Sequence, residues 1–179
     1  ELARIREISL ASVRLCCVDG LYDTPFREGA QWLGDVALVT VPILQQVYYA
    51  IDQVACWFRQ SHAGRTPAGF LSNLSNISSP DLACQHQIPD YSLWWLWALR
   101  EQYRTTGDRG LIDHCWPGVL GLLHAHQDRM SSDGLMHDVP GWLFIDWAPV
   151  ERSRCCAAYH AILALALEAL VDLAAVRGD

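Results

Sequence analysis

Apolar positions recur at helical intervals along most of the chain. Leu2, Ile5, Ile8 and Leu15 share one face between arginines and predict a helix over residues 2–17, stopped at Asp19-Gly20. A second helix is predicted from about Thr40 to Phe58, with Thr40 as its N-cap and Pro42 in its first turn. Helical spacing resumes at about 90–105, where Asp90 reads as a cap, and again at 109–130 after a Thr105-Thr106-Gly107-Asp108 turn. The last predicted helix, 153–176, is apolar almost all round, which predicts burial on most of its sides. No strand pair stands out. Between helices, short turns alternate with long Asp-, Trp- and Pro-bearing loops at about 18–39, 60–89 and 135–150. Stacked α-hairpins give that alternation when the long loops gather at one end, and long loops often build binding faces.

Composition narrows the class. With 51% apolar and 18% charged residues over 179 positions, the chain has material for one ordered domain with a core. The net charge is −7 and every basic residue is arginine, with no arginine-rich stripe. That argues against nucleic acid as partner and for a neutral or polar small molecule. Apolar runs are interrupted by charges or turns, so no membrane partner is expected. Seven cysteines (16, 17, 56, 84, 115, 155, 156) include no C-x-x-C and read as small hydrophobes on helical faces. Histidines 62, 86, 114, 124, 126, 137 and 160 lack ligand spacing, so neither metal nor cofactor is expected. Asn73 and Asn76 head formal glycosylation sequons. The first residues already look helical and the last look like a helix end, as in a piece of a longer protein. The compartment is left open, with a lean to the bacterial cytoplasm.

Charge is scarce, yet residues 23–35, DTPFREGAQWLGD, hold Asp23, Arg27, Glu28 and Asp35 around Trp32. Grouped carboxylates can hold a proton on one member near neutral pH while an arginine keeps another ionised, which is what a general acid requires. Trp32 would offer a flat face to a sugar ring. The plainer reading is a capping and salt-bridge loop, with Asp35 capping the next helix. A second cluster, Trp142-Leu143-Phe144-Ile145-Asp146-Trp147, sets two tryptophans around an aspartate, as carbohydrate platforms do; the alternative is an apolar plug. A third, Pro89-Asp90-Tyr91-Ser92-Leu93-Trp94-Trp95, precedes a helix from which Trp94, Trp95 and Trp97 cannot all face one pocket.

The pattern Asp23-x-Pro25-x-Arg27-Glu28-x-x-x-Trp32-x-Gly34-Asp35 resembles the signature of bacterial α-L-rhamnosidases, glycoside hydrolase family 78. Ile88-Pro89-Asp90-Tyr91-Ser92-Leu93-Trp94, Thr106-Gly107-Asp108 and Phe144-Ile145-Asp146-Trp147 look like family segments in the same order. The resemblance implies an all-α chain forming part of an (α/α)6 toroid, with about five of its twelve helices present. It implies release of terminal α-L-rhamnose from a carbohydrate substrate with inversion. Glu28 falls at the general acid, and Asp23, Arg27 and Asp35 fall at positions that bind sugar hydroxyls and set the charge. Trp32, Asp90, Trp142, Asp146 and Trp147 are implied in the substrate pocket. Thr24 departs from the cysteine of many members. The base that inversion needs, roughly 6.5–9.5 Å from the acid, would come from later hairpins, since the remaining candidates, Glu151, Glu168 and Asp146, sit in no motif that matches the family's base. The chain thus reads as the first half of a catalytic domain. Two other readings stay open: a six-hairpin enzyme for another sugar, and a non-catalytic carbohydrate-binding partial toroid that self-associates through an open face.

Overall fold

The structure is a computed structural model, and it describes residues 1–24, 26–66, 68–75 and 87–179. Pro25, Asn76, Cys84 and His86, all named above, lie outside the described residues. Six helices carry the described fold: α1 Leu2–Leu15, α2 Leu33–Tyr48, α3 Ile51–Ser61, α4 Pro89–Thr106, α5 Arg109–Gln127 and α6 Ala157–Arg177.

The extra helix comes from the second predicted one. It begins seven residues earlier than expected, at Leu33, and Thr40 is an interior residue rather than a cap. Pro42 also lies inside it. Proline cannot donate to the preceding turn, and α2 runs through by widening into π-type turns at Val36–Thr40 and Leu44–Tyr48. Tyr49 then enters the left-handed region (φ 53°) and separates α2 from α3. The other tight reversal follows expectation: Gly107 (φ 68°) ends α4, and the Asp108 carboxylate accepts Leu111 N–H to start α5.

The helices pack in two rows. In one row α4 sits between α2 and α6; in the other α3 packs on α5, and both touch α4. Polar bonds tie the helices together at chosen points, one within a row and two between rows. Gln45 of α2 donates to Gln102 of α4 at 2.6 Å, the Trp95 indole to Ser61 of α3 at 2.7 Å, and the Tyr159 hydroxyl to His126 Nε2 at 2.8 Å. The His126 and Tyr159 rings stack nearly parallel between α5 and α6.

The helix buried all round is therefore α4, which hides residues on nearly every face, including Asp90, Arg100 and Gln102. The sequence pattern assigns that place to α6, and the structure corrects it. α6 buries one stripe, Tyr159, Ile162, Leu163, Ala166, Ala169 and Leu173, while Leu165, Leu167 and Val171 are exposed. Its apolar character continues past its packing surface. By length and composition alone α6 could cross a membrane, although Glu168 and Asp172 interrupt it. α1 is similar, burying no residue and leaving Leu2 83% exposed.

One strand pair does form: β1 Gln31–Trp32 runs antiparallel to β2 Leu74–Ser75. Two bonds extend it, Leu33 N–H to Asn73 O at 2.8 Å and Ile88 N–H to Asn73 Oδ1 at 2.6 Å. Asn73 therefore ties the start of α2 to the start of α4. It is 2% exposed with its side chain engaged, so this sequon presents no acceptor surface. Of the six described cysteines all are free; Cys115 and Cys156 are buried, Cys56 is exposed and the other three are half-buried. The small-hydrophobe reading holds for the buried two and fails for Cys56.

Residues from the loop before α2, from the start of α4 and from the loop before α6 meet at one end of the row. That end carries the site.

Candidate active site

The acidic loop folds back on itself through its first carboxylate. Asp23 Oδ1 accepts Ala30 N–H at 3.0 Å, and Asp23 N–H donates to Ala30 O, closing the loop across seven residues. Thr24 Oγ1 accepts Glu28 N–H at 3.1 Å, and Gly29 supplies the left-handed turn (φ 59°) that reverses the chain toward β1. Thr24 thus has a hydrogen-bonding role in the loop. The outcome is that Glu28 and Trp32 face each other, with the indole Nε1–H donating to Glu28 Oε2 at 2.7 Å.

These residues form one wall of a cleft of about 330 Å³ lined by Asp23, Glu28, Trp32, Asp35, Ile88, Tyr91, Trp142, Phe144 and Trp147. Residues more than a hundred positions apart in sequence meet there. Arg27 does not line the cleft; its side chain is 86% exposed and its Nε stands 4.0 Å from Glu28 Oε1. Solvent screens such a pair strongly.

Asp35 lies in the first turn of α2 rather than at its cap, which is Trp32. Its Oδ2 accepts the Tyr91 hydroxyl at 2.9 Å. Burial pushes the Asp35 carboxyl above its usual range, the Tyr91 bond and its own backbone N–H oppose this, and Asp23 and Asp146 push it further up. The same surroundings raise the Tyr91 phenol strongly, burial first and Asp35 next, so it stays protonated and remains a donor.

The opposite wall is aromatic. Trp142, Phe144 and Trp147 meet pairwise edge to face with centroids 5.1–5.2 Å apart. Their backbone is unusual: Ile145, Asp146 and Trp147 all have positive φ, of 44°, 49° and 59°. Such φ values are costly for a β-branched residue like Ile145. Two buried or half-buried charges hold them. Asp90 accepts Phe144 N–H at 3.2 Å and Ile145 N–H at 3.3 Å, and Arg152 donates to the carbonyls of Phe144 and Ala148. Asp90 is 1% exposed and sits at the second position of α4, behind Pro89, so it caps a neighbouring loop instead of its own helix. Burial raises its pKa, and the backbone N–H groups and Arg152 work against that rise. In this structure Asp90 anchors the aromatic wall from behind. Asp146 does not line the cleft, although its charge is felt by Asp35 and Tyr91.

Of the residues that sequence reasoning singles out, Asp23, Glu28, Trp32, Asp35, Trp142 and Trp147 line this cleft, and Ile88, Tyr91 and Phe144 are lining residues it misses. Gly34 was the available signal for Tyr91. A Cβ there would come within 2.3 Å of the Tyr91 ring, so the glycine admits the tyrosine. Away from the cleft, His62 and His114 bring their Nε2 atoms to 3.1 Å across α3 and α5, which sequence spacing does not show. Among the described residues no group of three or more His, Cys, Asp or Glu converges as a metal site.

Residues 1–167 match the family model of the bacterial α-L-rhamnosidase six-hairpin glycosidase domain. No curated protein matches. Two solved structures are similar over nearly the whole chain. A GH78 family rhamnosidase of Bacillus sp. GL1 has a TM-score of 0.83 at 26% identity, covering 96% of this chain and 18% of that one. A rhamnosidase from Klebsiella oxytoca, solved with rhamnose bound, has a TM-score of 0.80 at 22% identity, covering 93% of this chain and 32% of that one. The chain therefore spans 18% and 32% of the length of these two relatives, and its two rows of helices are part of a six-hairpin α/α toroid.

Proposed function

The chain belongs to the bacterial α-L-rhamnosidase six-hairpin glycosidase family, and from that premise we propose that its cleft binds a terminal α-L-rhamnose and supplies the proton donor for its hydrolytic release with inversion. The observation that carries the reading is the Glu28 carboxyl at the mouth of the cleft, fixed by the Trp32 indole and facing an aromatic wall. In this reading Glu28 protonates the departing glycosidic oxygen as the bond to the anomeric carbon breaks. Asp23 and Asp35 accept hydrogen bonds from ring hydroxyls, and their negative charge favours the positive charge that develops on the sugar. Trp32, Trp142 and Trp147 supply flat faces for the C–H surface of the ring. Arg27, at the rim, reaches a sugar hydroxyl by swinging its exposed side chain. Asp90 and Asp146 act on the pocket through the aromatic loop and through charge. Each cleft carboxylate then has an assigned task, so the base that activates water comes from another part of the barrel wall.

The test is a panel of aryl glycosides offered to the protein. Cleavage of the α-L-rhamnoside, with an inverted product seen by NMR, supports the reading; cleavage of another sugar with no action on rhamnoside would sink it and favour a six-hairpin enzyme of different specificity. The exposed apolar residues of α1 and α6 favour a second reading, a partial barrel that covers these faces by self-association. Size-exclusion chromatography separates the two: a stable monomer at micromolar concentration counts against self-association.

A further inference from the structure

Tyr91 has no assigned role so far, yet it touches both walls of the cleft. Its ring sits against Gly34 with no room for a Cβ between them, edge-on to Trp32 on one side and to Phe144 on the other. Its hydroxyl reaches Asp35 Oδ2 at 2.9 Å. It is mostly buried, on the most enclosed helix, next to the residue that anchors the aromatic loop. The contacts fix the ring in place, and the fixed ring sets the position of the hydroxyl.

We propose that Tyr91 is a positioning residue that clamps the Asp35 carboxylate in its sugar-binding orientation and keeps it ionised. This rests on the proposed rhamnose-binding role of the cleft. A carboxylate binds a sugar hydroxyl best when it is charged and confined to one rotamer. Asp35 has reasons to be neither: it is largely buried, and Asp23 and Asp146 push against its charge. Glu28 lines the same cleft, Asp90 lies behind Tyr91, and none of the described lining residues is a cation. The Tyr91 hydroxyl is the side-chain donor seen on Asp35. Its bond occupies part of one oxygen and leaves the remaining lone pairs for substrate.

Tyr91→Phe keeps the ring and removes only the clamp. In ligand-free protein, the carboxyl ¹³C titration of Asp35 is expected to move to higher pH in Tyr91→Phe, because a bond that favoured the ionised form is gone. An unmoved titration overturns the proposal. L-rhamnose binding, followed by tryptophan fluorescence, is expected to weaken about tenfold near neutral pH, and to be lost at a higher pH than in the wild type as the solution is acidified. The comparison is completed by Asp35→Asn and the double variant. With Asp35 already replaced, removing the hydroxyl should cost little more affinity; fully additive losses would make Tyr91 a packing residue and overturn the clamp. If Asp35→Asn binds rhamnose as well as the wild type does, the failure lies with the assignment of Asp35 to the sugar, while the titration still reports the clamp.

Discussion

The acidic wall of the cleft comes from thirteen consecutive residues closed mainly by local bonds, Asp23 to Ala30, Thr24 to Glu28 and Glu28 to Trp32, with β2 and Tyr91 bracing its far end. The aromatic wall comes from six consecutive residues whose shape is imposed from outside, by Asp90 on α4 and by Arg152. The acidic loop is open to solvent, with Phe26 at its tip almost fully exposed. The aromatic loop holds three left-handed residues in a row against their preference. In the proposed reading chemistry is carried by a segment that largely makes its own shape, and the aromatic wall by a segment that borrows it. Mutations should divide the same way, with changes in the first loop affecting rate and changes behind the second affecting stability.

The largest effect is expected at Glu28. Glu28→Gln should lower the rate on substrates with poor leaving groups by about 10²–10⁴-fold, with the melting temperature unchanged. A steady-state assay beside a thermal melt checks both halves, and a parallel loss of stability would erase the contrast between the walls. Next comes Asp90→Ala, which strands two half-buried amides and releases the strained loop. It should cost about 3 kcal/mol in denaturant unfolding and alter the emission of Trp142 and Trp147. Smaller again is Gly34→Ala, whose methyl meets the Tyr91 ring; overpacking there should cost roughly 1–3 kcal/mol and weaken sugar binding in step.

The smallest effect carries the opposite sign. Asp35 has a raised pKa in the folded chain, so the native state binds its proton more tightly than the unfolded chain does. Its ionised form therefore burdens the fold above that raised pKa, and the burden disappears as the pH drops below the unfolded value. Asp35→Asn should melt slightly higher than the wild type at pH 7, and the gap should close as the pH falls through that window. A gap that widens on acidification would reverse the assigned shift.

The difference between the walls also explains what could be read from the residues. Asp23, Glu28, Trp32 and Asp35 are neighbours in sequence, so their spacing in DTPFREGAQWLGD is close to their arrangement in space. Trp142 and Trp147 were legible as an aromatic pair because both stand in one loop. Tyr91 and Asp90 were not legible in their roles, because each acts across some fifty residues, on Asp35 in one case and on Phe144 and Ile145 in the other. A carboxylate after a proline at a helix start has the pattern of a cap for that helix, and only the packing of α4 shows that it serves another segment. The two long apolar patterns misled for a related reason. Periodicity reports what a helix could bury, whereas burial depends on neighbours, and α4 has them on more sides than α6. The early start of α2 escaped because a π-widened helix absorbs Pro42, the residue that otherwise marks a boundary, and the break at Tyr49 escaped because neither glycine nor proline stands there.

The Asp90 anchor also bears on how amide protons leave the molecule. An irregular surface loop ordinarily exchanges its backbone hydrogens with solvent almost at once. Phe144 and Ile145 point theirs at a buried carboxylate at the head of the most enclosed helix. Their release then requires α4 to open, so in deuterium these two should exchange on the slow timescale of the core. Amides bonded only within the loop, such as those of Trp147 and Ala148, should exchange faster, which would make this pair a spectroscopic reporter of whether the aromatic wall is anchored.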